Sequence, residues 1–479
     1  MENLSIYIAV LVAMHVIGII CSIQALFSVR TPQGAIGWII SLNTFPLIAV
    51  PAYLVFGRSK FKGFIFARQS EDAEMTGLIE SLNEKAEPFL GIEGNLTTEA
   101  VGRIQALEHL AKMPVLRGNQ VELLIDGEAT FASIFEGIDK ATEYVLIQFF
   151  IIHDDELGNE LKRRLCEKAA EGVRVYFLFD EVGSNKLPAS YSKELRDAGV
   201  RIHSFQTTRG SGNRFQLNFR NHRKIVVTDG YVGWIGGHNV GDAYLGKTEK
   251  FSGWRDTHMR ISGPAVLGLQ FSFMEDWNWA TDEHLSLQWD FVAAEGSTTP
   301  VLILPSGPAD EVATASLMFQ HAIHSAKNRI WIASPYFVPD DGIINALQLA
   351  EMRGVDVRVL IPDEPDHLIV YMSAFAFFGK MLKSGIEIYR YTAGFLHQKV
   401  FLVDDSAAGI GTANLDNRSF RLNFEITAIV LDQDFTSKVG RMLENDFARA
   451  RKMTQSEIEE KPFWFRAVAR AAYLTAPLQ

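Results

Sequence analysis

The chain opens on two long apolar runs. Residues 4–29 form 26 consecutive positions without a formal charge, enough to cross a hydrocarbon layer of ~30 Å. After a short turn at 30–34, residues 35–56 are apolar again but carry Asn43, Pro46 and Pro51. Such prolines kink a helix in water, whereas inside a membrane neighbouring helices re-satisfy the backbone. The pattern predicts a two-helix transmembrane hairpin over 1–57. Arg58, Lys60, Lys62 and Arg68 follow it, while the turn within it holds only Arg30. The positive-inside rule then puts the large remainder of the chain in the cytoplasm. Phe61, Phe64 and Phe66 alternate with those cations, as a segment lying on anionic lipid does. Residues 58–118 read as this interfacial stretch followed by a helical connector.

From Asn119 the periodicity changes to strands alternating with helices. Strands are expected in VELLIDG at 121–127 and over 144–152, 173–179 and 200–205, with helices over 130–140 and 156–171 and one ending at 195–198. A basic loop with Arg209, Arg214 and Arg220 comes next. The order then replays: 329–333 mirrors 144–152, EMRGVDVRVLI mirrors EGVRVYFLF, and LKSGIEIYRY mirrors LRDAGVRIHSF. Alternation of this kind implies sheets covered by helices. Its long period implies two homologous lobes rather than a solenoid, whose repeats run roughly 20–50 residues. The expected fold class is therefore α/β, with lobes at 119–296 and 297–432 related by a pseudo-two-fold, and a helical tail over 433–479. The end of that tail sets Phe463, Trp464 and Phe465 beside Arg466 and Arg470. It suits either a helix lying among lipid headgroups or one packed on the lobes.

The polar residues that interrupt this pattern repeat as well. RNHRKIVVTDGYVGWIGGHN at 220–239 holds His222, Lys224 and Asp229 in the spacing H-x-K-x4-D, trailed by Gly236, Gly237 and Asn239. HQKVFLVDD at 397–405 repeats the spacing with His397, Lys399 and Asp404, trailed by Gly411 and Asn414. The offsets 397 − 222, 399 − 224 and 414 − 239 are each 175. If each motif opens a buried strand, its His and Lys share one face. An imidazole beside an ammonium makes a poor core and a good phosphate site. Asp229 and Asp404 stand an odd number of residues from their histidines, so a regular strand turns them away from the phosphate toward a structural role. The natural arrangement brings both His–Lys faces to the seam between lobes.

The net charge of −11 argues against a general nucleic-acid binder, which needs a basic footprint. Two cysteines, Cys21 and Cys166, allow neither a disulfide framework nor a zinc site. His321 and His324 have helical metal spacing but no third ligand. His109, His153, His203 and His367 are isolated. His238, between Gly237 and Asn239, is expected to be structural, and Trp277 and Trp279 to pack the core.

The doubled H-x-K-x4-D resembles the phospholipase D superfamily. The words RNHRK at 220–224 and GTANLDNRSFRLNFE at 411–425 resemble the bacterial cardiolipin synthases, with likeness along nearly the whole chain. That resemblance implies a multi-pass enzyme of the bacterial inner membrane. It would transfer a phosphatidyl group between two phosphatidylglycerols through a phosphohistidine, giving cardiolipin and glycerol. It implies a catalytic set of His222, Lys224, Asp229, His397, Lys399 and Asp404, with Asn239 and Asn414 on the phosphate. Asp256 and Glu425 would each orient the histidine of its own lobe, with a salt bridge from Asp256 to Arg255 or Arg260 as the alternative for that carboxylate. Arg220, Arg223, Arg418 and Arg421 are candidates for a second lipid headgroup, with pairing to acidic residues as their alternative. The resemblance favours His222 as nucleophile and His397 as acid and then base; the residues alone leave both orders open. Two lysines supply the positive charge, so no metal or other cofactor is expected. The expected partners are phosphatidylglycerol and the membrane, without nucleic acid; the sequence allows a homo-oligomer. The alternative functions are a hydrolytic phospholipase D or a transphosphatidylase with another donor or acceptor, then a nuclease, then a non-catalytic membrane scaffold.

Overall fold

Two sheets of like topology meet along a single antiparallel strand pair. The computed structural model describes residues 2–29, 31–57, 60–65, 77, 81–82, 84–92, 97–210, 213, 215–247, 251 and 253–479. Arg30, Arg58, Phe66, Arg68 and Arg214, used above, lie outside them. The first lobe contains β1 (Leu116–Ile125), β2 (Tyr144–Phe149), β3 (Arg174–Asp180), β4 (Arg201–Phe205), β5 (Arg220–Asn221), β6 (Ile225–Thr228), β7 (Val232–Gly236), β8 (Trp254–Arg255) and β9 (Thr257–Ser262). The second contains β10 (Thr299–Ser306), β11 (Arg329–Ala333), β12 (Phe337–Val338), β13 (Asp356–Pro362), β14 (Glu387–Tyr391), β15 (Phe395–Leu396), β16 (Val400–Val403), β17 (Ala407–Gly411), β18 (Leu415–Asp416), β19 (Asn423–Val430) and β20 (Ala450–Lys452).

The strand order is β4-β3-β2-β6-β7-β9-β1-β10-β19-β17-β16-β11-β13-β14-β20. Read outward from the β1–β10 pair, the two halves match strand for strand as far as β4 and β14, as a pseudo-two-fold requires, and β20 adds an edge strand to the second half. The seam is antiparallel and irregular, with Leu116 opposite Val301 and Asn119 opposite Thr299. Helices repeat in step: Val266–Thr281 follows β9 as Gln433–Ala448 follows β19. Residues 433–452 therefore complete the second lobe, and β20 pairs with β14; the separate tail begins later than expected.

Two short strands leave their own lobe. β5 runs parallel to the start of β19, pairing Arg220 with Asn423 and Asn221 with Phe424. β15 pairs in the same way with β8, setting Phe395 against Trp254 and Leu396 against Arg255. His222–Lys224 and His397–Lys399 then lie in extended links between these crossing strands and β6 or β16, not within a strand as expected. Arg255, buried, clasps Asp446 of the other lobe through Nε and Nη2, both at 2.8 Å.

At its N-terminus the chain forms a helix, Glu2–Ser28, whose apolar side chains are largely exposed, Phe27 among them. Of the described helices only this one is long and apolar enough to cross a membrane. The second apolar run is not a single helix. It breaks at Phe45 into Pro32–Thr44 and Pro46–Phe56, because Pro46 has no N–H to continue the ladder and sits instead at the start of a new helix. This broken leg packs back on the first helix, where Asn43 Nδ2 donates to Ser22 Oγ at 2.8 Å.

The stretch after the hairpin departs furthest from expectation. Phe61 and Phe64 are 0% and 4% exposed and lie in the core between the lobes. Phe61 stacks on Phe219 at 5.2 Å, and Phe64 meets Phe424 at 4.7 Å. They are not a lipid-facing segment, since burying two phenyl rings against Phe219, Phe424 and Trp279 removes them from water more completely than a headgroup layer would. The tail helix Phe463–Tyr473 packs Phe465 and Tyr473 on Phe375 and Phe377, while Phe463 and Trp464 stay 80% and 64% exposed.

The motif aspartates are structural. Asp229 and Asp404 sit at φ +51° and +49°, a left-handed conformation that aspartate tolerates better than most residues. The carboxylate of Asp229 accepts from the N–H groups of Thr142, Glu143 and Tyr144 at 2.8–2.9 Å. Asp404 does the same for Lys327, Asn328 and Arg329 at 2.8–3.0 Å. Each pins the strand entering the lobe's centre, so neither belongs with the catalytic groups. Replacing Asp229 by Ala should lower unfolding stability by about 2–3 kcal/mol, the scale of hydrogen bonds to a charged acceptor. The folded fraction should keep its specific activity within about threefold, and a loss of activity without a loss of stability in urea melts would return Asp229 to the chemistry.

Candidate active site

The crossing strands dictate how the histidines are held. The N–H of His222 donates to Phe424 O at 2.9 Å, which sets its imidazole beside the next residue of β19, and Nδ1 meets Glu425 Oε2 at 2.8 Å. The N–H of His397 donates to Arg255 O at 2.8 Å, and Nδ1 meets Asp256 Oδ2 at 2.7 Å. Each histidine is thus oriented by the other lobe's carboxylate, the reverse of the pairing expected within lobes. Chain order suggested local partners, but β5 and β15 carry each histidine across the seam. The alternative salt bridge is also absent, because Arg255 is held by Asp446 and Asp126 and Arg260 lies near Glu122.

Both carboxylates are buried. Glu425 Oε1 accepts from Ser419 Oγ at 2.9 Å and Asn423 Nδ2 at 3.0 Å; Asp256 Oδ1 accepts from Thr257 N at 2.8 Å. Burial works against either charge, yet the imidazoles and lysines facing them outweigh it and hold both carboxyls below their ordinary range. An ionised carboxylate only accepts, so Nδ1 of each histidine carries the hydrogen and Nε2 is left free for chemistry. A Cβ on Gly237 would collide with the Asp256 carboxylate, a direct reason for that glycine.

Lys224 Nζ donates to His222 O at 2.7 Å, and Lys399 Nζ donates to His397 O. Burial, opposed in part by Glu425, lowers Lys224 to about 7, and burial opposed by Asp256 lowers Lys399 to about 8. Burial likewise brings His222 and His397 down to about 4. The Lys399 charge also acts on His222, and the Lys224 charge on His397, so the two half-sites share one electrostatic cluster. Asn239 has Oδ1 held by Ile151 N at 3.1 Å, turning its NH2 away as a donor. The Asn414 side-chain oxygen is buried without a partner among the described residues.

The expected arginines divide. Arg223 is buried on Asp276 at 3.0 Å, and Arg421 is paired with Asp340 at 2.6 Å. Both are corrected to structural ion pairs, since each cation is already spent on a carboxylate. The Arg220 guanidinium reaches the carbonyls of Leu217 and Phe219. Arg418 reaches Asn218 O at 2.6 Å and Leu478 O at 3.2 Å. Among the described residues neither makes an ion pair. Burial, and then the neighbouring Arg220 charge, lower Arg418 to about 10.

Several contacts escaped the sequence reading. The Phe150 ring stands edge-on to His222 at 5.0 Å, and Trp254 lies 5.1 Å from His397; the placement of Trp254 two residues before Asp256 was the available signal. His238 is fully buried with Nδ1 3.2 Å from His258 Nδ1, in keeping with a packing role. Among the described residues no cluster of His, Cys, Asp or Glu has metal-binding geometry.

Comparison with known proteins bears on what this arrangement belongs to. A family model described as "Cardiolipin synthase, PLD-like domain" matches residues 134–251 and 319–447, one segment in each lobe. Cardiolipin synthase A of Pseudomonas putida strain GB-1 is 51% identical over 467 residues, covering 97% of this chain and 96% of the relative. Its counterpart in strain W619 is 50% identical over 472 residues, covering 98% of both. A phosphatidylserine synthase structure from Haemophilus influenzae superposes with a TM-score of 0.59 at 16% identity, over 78% of this chain and 99% of that one, a likeness of fold. Two lobes, two matched segments and near-full-length identity lead to one assignment: the chain belongs to the cardiolipin synthase family of phospholipase D-like proteins.

Proposed function

We propose that this chain is a membrane-bound phosphatidyltransferase that makes cardiolipin and glycerol from two phosphatidylglycerols. The observation that carries the reading is the pair of buried imidazoles, each with Nδ1 fixed by the opposite lobe's carboxylate and each beside a lysine. His222 Nε2 attacks phosphorus of the first lipid, the P–O bond to its terminal glycerol breaks, and His397 Nε2–H protonates the departing oxygen. A glycerol hydroxyl of the second lipid then gives its proton back to His397 as its oxygen attacks phosphorus and the P–N bond breaks. One phosphodiester is exchanged for another, so the overall reaction has no large uphill change to drive. Lys224, Lys399, Asn239 and Asn414 bind the non-bridging oxygens as charge develops there. The incoming phosphate anion raises the depressed imidazole of His397, which lets it hold the proton that burial disfavours.

The long apolar N-terminal helix and its broken partner support anchoring in the cell membrane as a double-spanning unit. Lys60 and Lys62, after the second leg, support a cytoplasmic catalytic domain. The exposed Phe463 and Trp464, beside Arg466 and Arg470, support a tail helix that touches the same bilayer while its other face packs on the second lobe. Arg220 and Arg418, the two of the four candidate arginines that meet no carboxylate among the described residues, are the ones we assign to the anionic headgroup of the second lipid.

Purified protein given phosphatidylglycerol alone should yield cardiolipin and glycerol; phosphatidic acid as the main product would make it a hydrolase instead. His222→Ala and His397→Ala should each lower transfer by about 10³-fold or more, within the range of lost acid–base or nucleophilic groups. An alkaline quench with phosphorus-labelled lipid should place the label on the His222 peptide, and label on His397 would reverse the roles. The pH profile of kcat/KM should fall below about 4 as the nucleophilic imidazole takes a proton, and decline above it as His397 of the free enzyme, also near 4, loses the proton it must give. It should fall more steeply on the alkaline side as Lys224 and Lys399, near 7 and 8, lose theirs. A slope unchanged to pH 10 would remove the lysines as the phosphate's counter-charge.

A further inference from the structure

The pseudo-two-fold is broken where the chain enters the cleft. In the second lobe β14 reaches β15 through 392–394 alone; in the first, β4 reaches β5 through 206–219. The last part of that longer connection is turned inside out. Phe215 and Leu217 are 47% and 48% exposed, while Gln216 and Asn218 are 2% and 6% exposed. Single exposed apolar residues are ordinary on a protein in water. Apolar-out alternating with polar-in is the pattern of a surface whose solvent is lipid.

The backbone of the same segment is prepared to leave water. Gln216 O accepts from Thr207 Oγ1 at 2.6 Å, and Asn218 O accepts from Arg418 Nη2 at 2.6 Å. Leu217 O and Phe219 O both accept from the Arg220 guanidinium. Four successive carbonyls are thus met by side chains. A loop in water needs no such service, since solvent supplies it, whereas a loop at the edge of a bilayer does. Asn218 Oδ1 also accepts from Arg418 at 3.2 Å, and Nδ2 is left buried with no acceptor among the described residues. An anionic oxygen beside Arg418 would supply one.

Contacts at both ends of the segment say what it faces. Phe219 stacks on Phe61 at 5.2 Å, and Gly63 lies against the Asn213 amide. Phe61 follows the last apolar helix, which ends at Phe56, by at most about 18 Å of chain. The segment is therefore rooted where the anchor ends. At its other end Arg220 stands two residues before His222. Ser419, next to Arg418, donates to Glu425, which holds His222. Residues 215–219 thus join the root of the anchor to the rim of the His222 half-site.

We propose that residues 215–219 form a lip that dips into the bilayer: Phe215 and Leu217 enter the acyl layer, while Arg220 and Arg418 stay at headgroup depth and take a lipid phosphate there. This rests on the membrane-bound phosphatidyl-transfer reading above and deepens it by naming the surface over which lipid reaches His222. Arginine suits the place, because its stem lies along apolar surface while its planar head pairs with phosphate. The lip spares a lipid from drawing its chains through water on the way to a buried imidazole.

The test uses the full-length enzyme in vesicles of phosphatidylcholine and phosphatidylglycerol, with Cys21→Ser and Cys166→Ser as background. An environment-sensitive nitrobenzoxadiazole dye is attached at Phe215→Cys or at Met352→Cys. Met352 is exposed just before β13 begins, at the sheet end away from Lys399. Emission from the 215 label should shift to the blue and be quenched by doxyl groups on the acyl chains, while the 352 label does neither. A 215 label that stays in water, or behaves like the 352 label, overturns the lip. One that shifts without doxyl quenching reports a protein contact instead, a second copy included, and overturns it as well. Phe215→Ser with Leu217→Ser is then compared with the parent enzyme in phosphatidylcholine vesicles. The ratio of turnover on bilayer phosphatidylglycerol to turnover on monomeric dihexanoyl phosphatidylglycerol should fall about tenfold, within the scale of two side chains withheld from an apolar phase. An unchanged ratio, with or without an equal loss on both substrates, overturns the lip. Phosphatidic acid in place of cardiolipin from the parent enzyme defeats the transfer reading, and the 215 label still decides the lip.

Discussion

Everything at the centre of this molecule depends on an exchange of carboxylates across the seam. Glu425 holds His222 and Asp256 holds His397, so neither lobe contains a finished half-site. The exchange follows from the backbone: two-residue strands leave their own sheets, pair with the first residues of β19 or the residues just before β9, and deliver each imidazole to the residue after the pairing ends. The Arg255–Asp446 clasp fastens the same crossing from the outside. A relative displacement of the lobes would misorient both histidines together, so interface packing and site geometry are one property here.

The same burial that fixes the rings sets their chemistry. Two lysines and two carboxylates are removed from water in one cluster, and paired charges tolerate this where single ones would not. Desolvation pulls the lysines and imidazoles toward their neutral forms, and the carboxylates pull back. The cluster is therefore short of positive charge relative to what its residue count suggests. An arriving phosphodiester restores the balance, which favours the charged state of the cluster only when substrate is present.

Much of this was readable in the chain. The repeated His–Lys spacing pointed to the groups that the fold brings to the seam, and the replayed strand order gave two lobes and their helices. Parity alone turned the aspartates at 229 and 404 toward a structural role, and their carboxylates accept from the N–H groups that open β2 and β11. What the linear pattern could not carry was partnership between segments far apart. The spacings of 34 and 28 residues from each histidine to the following carboxylate suggested local pairing, because nothing in a linear pattern encodes a strand that joins the opposite sheet. Arg223 and Arg421 looked like headgroup ligands for the same reason, as Asp276 and Asp340 lie far along the chain. The second apolar run was expected as one helix; Pro46, which begins a new helix instead of bending an old one, decided otherwise.

The phenylalanines at 61 and 64 were read as lipid-facing because cations flank them, yet they are built into the floor behind Phe219 and Phe424. From the end of the last apolar helix at Phe56 to Phe61 is a leash of five residues, at most about 18 Å when stretched. An enzyme on so short a leash cannot wander off to sample the surrounding fluid. Its hunt for the second lipid becomes a two-dimensional one, in which lateral drift of neighbouring molecules brings each acceptor to the cleft.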